Sequence, residues 1–378
     1  MLHMDWTALR AEMPVTERWA YFDHAAVAPL TLPALQALRA WGDDLTTNGL
    51  VNERRWLARI DEVRTLAARL IGADPLDVAF IKNTSEGIGI VAEGFAWQPG
   101  DNVVIAQEEY PANQYPWLNL RDRVVEVRAV PSRPDGRLWI DDVAAAMDAR
   151  TRLLSLSWVE FASGFRNDLD ALAELCQKRG IAFFVDAIQG LGVFPLDVQR
   201  MPIDFLAADG HKWLLGPEGA GILWIRRAWM DRLRPIDIGW NSVVGARDFG
   251  KIDFRLKPHA GRYESGTINV AGITALGGSL ELLLGIAIDQ VAARVLELTD
   301  YLCKRIAERS APTVFSSRRE GDGSGIVSLA YADPNEASAK LRLCRGNGII
   351  VNQRAGRLRV SPHCYNSFEE IDRLLGYL

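Results

Sequence analysis

Short apolar runs alternate with amphipathic stretches through the middle of the chain, from about residue 78 to residue 226. The runs are rich in β-branched and aromatic residues, and stretches between them, such as LDALAELCQKRG, repeat apolar residues at helical spacing. The runs read DVAFIKN, NVVIA, VVEVRAV, RLLSLSWV, IAFFVDAI, DFLAAD and GAGILWIRR. Because strands that alternate with helices usually form parallel sheets, the pattern predicts an α/β fold with helices on both faces of the sheet.

The segments on either side of this region follow other patterns. Residues 33–72 repeat apolar positions every three or four residues, which predicts helices that pack against the sheet. After a stretch rich in Gly, Pro and charge, an apolar helix and a longer helical run end near Arg309. Residues 325–378 predict the strands GIVSLAYA, GIIVNQ and RLRVSP, followed by a helix that Ser367 caps with Glu370 three residues on. This part indicates a small α+β domain.

Composition and charge narrow the classes of function. The chain has 378 residues and a formal net charge of -5, without a run of Lys or Arg, so we expect neither a nucleic-acid-binding nor a membrane-binding surface. The four cysteines, at positions 176, 303, 344 and 364, show no metal-ligand spacing and are too sparse for a disulfide framework. Since no signal-peptide core and no apolar span of about 20 residues is evident, we predict a cytoplasmic protein without a metal site.

Two polar residues stand directly after predicted strands, where doubly wound sheets bind ligands. Asp186 follows IAFFV, and Lys212 follows DFLAADGH in an apolar, Gly-flanked context. Desolvation disfavours the ammonium form of such a lysine, so its neutral amine is available to condense with an aldehyde. An aspartate that faces a pyridine nitrogen keeps that nitrogen protonated. Taken singly, each residue is explained equally well as a helix-capping carboxylate or a surface lysine.

Further positions are compatible with a phosphate-bearing aromatic cofactor. Thr84 and Ser85 lie between a strand and a helix, where free N–H groups and the helix dipole favour a phosphate. Tyr110 follows the strand NVVIA and could lay its ring against a flat cofactor, and Arg359 could offer its fork to a carboxylate. Each also has an ordinary interpretation, as a capping residue, a rim aromatic or an edge-strand charge.

These residues, in this order, resemble the class V aminotransferase family of fold-type I enzymes that depend on pyridoxal 5'-phosphate (PLP). The family includes cysteine desulfurases, kynureninases and isopenicillin N epimerase-like proteins. The blocks VDAIQG and DFLAADGHKWLLGPEGAGIL are similar to its Asp-x-x-Gln and His-Lys blocks. The resemblance implies a large PLP-binding domain (31–285) with a mostly parallel seven-stranded sheet sandwiched by helices. It also implies a small C-terminal α+β domain (286–378) and an N-terminal segment (1–30) that packs with this domain and the pocket.

The resemblance also implies roles for the residues of the two blocks. Lys212 would carry the Schiff base and remove the substrate's α-proton, and Asp186 would pair with the pyridine nitrogen. Gln189 would bond the phenolic oxygen of the ring, and His211 would help to hold the phosphate.

Matching positions elsewhere in the chain complete the implied site. Thr84 and Ser85 match the phosphate-binding turn, and Tyr110 matches an aromatic residue or histidine that stacks on the cofactor. Thr267 matches a position that reaches the phosphate of the neighbouring subunit, which implies a homodimer with shared active sites. Arg359 matches the arginine that binds the α-carboxylate of an amino-acid substrate.

Departures from the family pattern bear on the reaction. Desulfurases carry a catalytic cysteine on a loop before the matching arginine, whereas GIIVNQRAGRLRV has none and Cys364 follows Arg359. This argues against desulfuration through an enzyme persulfide. Phe161 stands where desulfurases carry an asparagine, and Asp209 replaces a serine that often binds the phosphate. The roles of these two residues stay open.

We therefore expect a transaminase, or a lyase that eliminates sulfur or another β-substituent, acting through Lys212. One alternative is an amino-acid epimerase, which needs a second acid on the opposite ring face, where Tyr110 and His24 are candidates. Others are a cysteine desulfurase-like enzyme and a catalytically silent PLP-fold binding protein. A dinucleotide-dependent oxidoreductase does not fit, because the glycine cluster GPEGAG opens a strand rather than a helix.

Overall fold

The computed structural model describes residues 5–378, so the first four residues of the predicted N-terminal segment lie outside the described part. The helices are α1 (Trp6–Ala11), α2 (Leu32–Asn48), α3 (Glu53–Leu70), α4 (Thr84–Gly94), α5 (Tyr115–Leu118), α6 (Ile140–Ala146), α7 (Leu169–Arg179), α8 (Val270–Ile286), α9 (Ile288–Ala307), α10 (Pro334–Gly346) and α11 (Phe368–Leu375). The strands are β1 (Ala20–Tyr21), β2 (Val78–Ile81), β3 (Asn102–Ala106), β4 (Glu126–Val130), β5 (Thr151–Ser157), β6 (Ala182–Asp186), β7 (Phe205–Asp209), β8 (Gly221–Ile225), β9 (Thr313–Val314), β10 (Val327–Ala330), β11 (Ile349–Ile350), β12 (Asn352–Arg354) and β13 (Arg357–Val360).

A seven-stranded sheet with the order β2-β8-β7-β6-β5-β3-β4 forms the centre of the described chain. The strands from β7 to β4 pair in parallel, whereas β8 is antiparallel to both β7 and β2. The segment between β7 and β8 contains no helix to act as a crossover, and an antiparallel neighbour needs none. The predicted α/β fold with a mostly parallel seven-stranded sheet is confirmed.

Helices cover both faces of this sheet. Successive side chains of a strand point to opposite faces, so Phe183 and Val185 of β6 enter one core and Phe184 enters the other. The first core contains residues of α3, α7 and α8, and the second contains residues of α4 and α5. Because both faces are covered, the central strands are continuous apolar runs.

A four-stranded antiparallel sheet, β12-β13-β10-β9, lies in the C-terminal part together with α10 and α11. The core beside it includes Phe22 from the N-terminal segment and Leu298 from α9. The N-terminal strand β1 pairs in parallel with β11. Ser367 and Glu370 form the predicted capping box at the start of α11. The domain boundaries at residues 30 and 285 stay predictions.

No single helix within residues 5–378 has the length and hydropathy needed to cross a membrane. The pair Val270–Ile286 and Ile288–Ala307 meets the criteria of length and composition only when taken together, across a bend of 83°.

Candidate active site

A cavity of about 320 Å³ lies at the carboxyl ends of the parallel strands, beside the first turn of α4. Its wall contains eight of the residues predicted from the sequence: Thr84, Ser85, Tyr110, Asp186, Gln189, His211, Lys212 and Arg359. Residues 25–27 of the N-terminal segment and Arg354 of β12 also line it. A larger cleft of about 710 Å³ around Trp139 and Phe194 has no lysine among the described residues that line it. The smaller cavity is therefore the candidate active site.

Lys212 enters this cavity from the loop that follows β7. Its side chain is buried, and Nζ lies 5.6 Å from the centroid of the Tyr110 ring. None of the hydrogen bonds within residues 5–378 involves Nζ. Burial lowers the pKa of Lys212 to about 8, although the negative charge of Asp186 opposes this. An amine with this pKa has a substantial neutral fraction near pH 7, and the neutral amine is the nucleophile.

Asp186 ends β6, where it pairs in register with Ser157 of β5 and Ala207 of β7. Its Oδ1 accepts a hydrogen bond from Ile188 N at 3.1 Å, whereas Oδ2 has no partner in the described part of the chain. Burial raises the pKa of Asp186 to about 6, and the Ile188 N–H and Lys212 oppose that rise. The carboxylate is therefore mostly ionised at neutral pH and can face a cation in the cavity.

The first turn of α4 forms one end of the cavity and is suited to an anion. Asn83 caps the helix by accepting from Glu86 N at 2.9 Å, and Thr84 and Ser85 follow at the start of the helix. Exposed N–H groups and the positive end of the helix dipole favour a phosphate there. Gly87 lets this helix approach the sheet, because a Cβ at this position would lie 2.7 Å from the Cβ of Ala207.

Asp209 helps to organise the same end of the cavity. Its backbone N–H donates to Thr84 Oγ1 at 3.1 Å, and its Oδ2 lies 2.8 Å from His211 Nδ1 without hydrogen-bond alignment. Asp209, which stands where the family often has a serine, thus contacts both Thr84 and His211.

Gln189 and Tyr110 border the cavity on other sides. Gln189 Nε2 donates to Ala25 O at 3.0 Å, and Gln189 Oε1 accepts from Trp213 Nε1 at 2.8 Å. The amide is thereby oriented and keeps one N–H for an acceptor in the cavity. The half-exposed Tyr110 ring meets Phe161 edge to face, with 5.3 Å between the ring centroids.

Arg359 lies at the floor of the cavity with 1% of its surface exposed. Its Nη1 donates to Phe161 O at 3.0 Å, and its Nη2 donates to Asp23 Oδ1 at 3.3 Å. Its Nε has no partner within residues 5–378. Burial lowers the pKa of Arg359 to about 10, so the guanidinium stays charged at neutral pH. A buried guanidinium with a free N–H suits a substrate carboxylate.

Two residues named from the sequence do not line this cavity. Thr267 lies in a separate recess with Phe80 and Glu264, and its predicted role in a neighbouring subunit stays a prediction. His24 is buried, and its ring nitrogens contact Ser361 O at 2.8 Å and the Tyr365 hydroxyl at 2.6 Å. The proposal that His24 is the second acid of an epimerase was therefore wrong, whereas Tyr110 does face the cavity.

Sequence reasoning missed four polar residues that border the cavity: Asn83, Ser157, Glu218 and Arg354. Ser157 ends β5, whereas the predicted run RLLSLSWV continues for two residues beyond it, so the rule that identified Asp186 did not single out Ser157. Arg354 comes from a hairpin whose turn was not recognised, and its place depends on pairing between β12 and β13.

The sequence matches the family model described as aminotransferase class-V over residues 20–374. The chain belongs to this family. Among curated class V relatives, a probable cysteine desulfurase from Methanothermobacter thermautotrophicus is 28% identical over 396 residues, which covers 100% of this chain and 98% of the relative.

Solved structures extend the comparison to three dimensions. The apo structure of a cysteine desulfurase from Thermococcus onnurineus NA1 superposes with a TM-score of 0.89 and 24% identity, covering 100% of this chain and 98% of that one. The cystine C–S lyase C-DES, in complex with its reaction product cysteine persulfide, superposes with a TM-score of 0.88 and 22% identity, covering 95% and 96%. At these identities the likenesses show the fold.

Proposed function

We propose that this class V family member is a PLP-dependent lyase that breaks the C–S bond of a cysteine-derived amino acid without a cysteine nucleophile. The observation that carries the proposal is a single cavity in which Lys212, Asp186 and Arg359 converge and which no cysteine lines in the described chain. The 28% identity to a probable cysteine desulfurase, over the whole chain, supports an amino-acid substrate with a β-sulfur.

The residues present fit PLP from end to end. The amine of Lys212 is free of hydrogen bonds in the described chain, Asp186 Oδ2 is free to face a pyridinium nitrogen, and the first turn of α4 can hold a phosphate. When bound, PLP supplies an aldehyde that condenses with amino groups and a ring that accepts the electron pair released at the substrate's α-carbon.

Three side chains of the cavity bind the substrate, take up its α-proton and stabilise the cofactor ring. Arg359 holds the substrate's α-carboxylate through its guanidinium, which borders the cavity, and this fixes the α-carbon there. Lys212, with its pKa lowered to about 8, takes the α-proton as general base. Asp186 stays ionised and holds the cationic ring nitrogen. The β-sulfur takes up a proton as it leaves, as a thiol from an S-alkylcysteine, as hydrogen sulfide from cysteine or as cysteine persulfide from cystine. Hydrolysis of the remaining fragment gives a keto acid and ammonia.

The cysteines of the chain do not provide a persulfide carrier. All four are buried, and burial raises the pKa of Cys364 to about 12. The hairpin of β12 and β13, residues 352–360, carries Arg359 and contains no cysteine. This supports elimination with release of a free thiol over transfer of sulfur to the enzyme.

We further propose a homodimer in which Thr267 reaches the partner's phosphate site. Trp240 Nε1 lies 3.7 Å from where a Cβ on Gly266 would be, next to Thr267, and its ring meets Phe249 at 5.9 Å between centroids. Phe249 and Ile252 are 77% and 96% exposed. Exposed apolar side chains grouped beside a predicted shared site support a protein interface.

The cytoplasmic location stays a prediction.

The activity is tested by adding PLP and then cystine, an S-alkylcysteine or cysteine to the purified chain. We expect a visible absorption band and release of a keto acid, together with a thiol from the S-alkylcysteine, sulfide from cysteine or free cysteine persulfide from cystine. With the S-alkylcysteine and cysteine, mass spectrometry should find no sulfur-modified cysteine in the protein. Lys212→Ala should abolish the band and the products, whereas the surface variant Lys178→Ala should retain both. A chain that binds no PLP, or that accumulates a cysteine persulfide, would refute this assignment.

The homodimer is tested by sedimentation and by subunit mixing. We expect Ile252→Asp to shift the chain from dimer to monomer. Lys212→Ala and Thr267→Ala proteins should each bind PLP poorly, and mixed dimers should recover one intact site. A wild-type monomer that binds PLP fully would contradict the shared site.

A further inference from the structure

Two buried glutamates lie behind the end of the cavity that Asp186 marks. Glu109 and Glu160 are each 3% exposed, and neither lines the cavity. The mechanism above gives them no role. Burying carboxyl groups is costly unless they are paired with a cation or neutralised, so their presence requires a physical explanation.

A hydrogen-bond network connects the two glutamates with the strand next to Asp186. Glu109 Oε1 accepts from Ser157 N at 2.6 Å, and its Oε2 is bonded to Ser157 Oγ. Ser157 pairs in register with Asp186. Asn167 Nδ2 donates to Ser157 O and to Glu160 Oε1, both at 2.8 Å. The second oxygen of Glu160, Oε2, is buried and has no partner within residues 5–378.

The charged groups that face this network are predominantly acidic. The negative charges of Glu108 and Asp186 act on Glu160, and those of Glu160 and Asp186 act on Glu109. Two cations that line the cavity serve other groups, since Lys212 acts on Asp186 and Arg359 donates to the backbone oxygen of Phe161. In the described chain, no Lys or Arg forms an ion pair with either glutamate.

Burial and like charge act in the same direction on both groups. Burial raises the pKa of Glu160 to about 7, and burial together with the charge of Glu160 raises the pKa of Glu109 well above its usual range. Adjacent buried carboxyls without a cation do not both ionise at neutral pH.

We propose that Glu109 and Glu160 retain a proton behind Ser157 and thereby keep Asp186 ionised, which makes Glu160 a positioning residue for the Asp186 carboxylate. Were both glutamates charged, their field would raise the pKa of Asp186 and neutralise the anion that faces the ring nitrogen. The consequence for the ring nitrogen rests on the proposed function, whereas the retained proton does not.

Infrared spectroscopy of the full chain in D₂O, before PLP is added, tests the retained proton. The wild type should show the carbonyl stretch of protonated carboxyl groups, with one component that disappears near pH 7, where burial places the pKa of Glu160. Glu160→Gln preserves an acceptor for Asn167 and should lose this component. The neighbouring Glu108→Gln should retain it, and Asp186→Asn identifies the separate contribution of Asp186. A wild-type spectrum that is unchanged by both Glu160→Gln and Glu109→Gln would overturn the proposal.

The positioning role is tested by titrating the absorption band of the PLP-loaded chain against pH. The wild type and Glu108→Gln should both show a step near neutral pH, at lower pH in Glu108→Gln because the charge of Glu108 raises the pKa of Glu160. Glu160→Gln should lose the step while still binding PLP. Superimposable titrations would show that Glu160 does not act on Asp186. If no variant binds PLP, the proposed function fails, and the infrared result still decides whether the proton is retained.

Discussion

The charge state of Lys212 gives the most direct quantitative prediction. Burial lowers the pKa of its ammonium from an ordinary 10.5 to about 8, a difference that corresponds to about 3 kcal/mol. At pH 8 about half of the Lys212 side chains should be neutral, against about 0.3% for an ordinary exposed lysine. The neutral fraction is therefore roughly 150-fold larger. Asp186→Asn should lower the pKa of Lys212 further, because the charge of Asp186 favours the ammonium.

Limited reductive methylation with formaldehyde, followed by peptide mass spectrometry, measures this pKa in the chain before PLP is added. The labelling rate of Lys212 should reach half of its maximum near pH 8, and Asp186→Asn should shift that midpoint to lower pH. The pH dependence, rather than the absolute rate, is compared, because Lys212 is less accessible than exposed lysines. Lys178 on the surface of α7 is the internal reference in the same digest.

Two results would contradict a lowered pKa of Lys212 that depends on Asp186. If Lys212 has the labelling midpoint of an ordinary exposed lysine, near pH 10.5, burial does not destabilise its ammonium in the folded chain. If Asp186→Asn raises the midpoint or leaves it unchanged, the carboxylate at the end of β6 does not act on the amine.

Three other substitutions test packing and binding. Arg359→Lys keeps the positive charge but loses the paired N–H groups of the guanidinium, so the KM of the amino-acid substrate should rise about 10- to 100-fold in steady-state kinetics. Arg357→Lys, outside the cavity, is the control. An unchanged KM in Arg359→Lys would rule out the carboxylate contact. Gly87→Ala places a Cβ 2.7 Å from that of Ala207, so urea unfolding should show a loss of about 1–3 kcal/mol. Ser367→Ala removes the cap of α11 and should cost about 1 kcal/mol in the same assay with KM unaffected, and equal stability would contradict the capping role.

The central sheet could be predicted because burial on both faces leaves a continuous apolar run for each strand. All seven runs became strands of one sheet, and NVVIA coincides with β3. The reversed direction of β8 was not predicted, because apolar patterning does not encode strand direction. The two-residue strands β1 and β9 were also missed, since they depend on pairing with distant partners rather than on a local pattern.

The candidate site was predictable where chemistry coincides with strand ends. Asp186 and Lys212 follow buried strands, so the sheet alone places them at one edge. Glu160 and Arg354 could not be found in this way. The surroundings of Glu160 depend on Asn167 and Glu109, and Arg354 reaches the cavity through the antiparallel hairpin of β12 and β13.

The contact between Asp23 and Arg359 joins positions 336 apart in the chain, and β11 supports it by pairing with β1. Translation produces Asp23 early, and its charged partner emerges from the ribosome only after all seven strands of the central sheet. Domains can begin to fold during synthesis, so a nascent chain with a formed sheet still has an open side where the N-terminal segment meets the last strands. Completion of the pocket is therefore a late event in biogenesis, and cofactor capture by the nascent chain would depend on the phosphate-binding turn, Asp186 and Lys212, before Arg359 is in place.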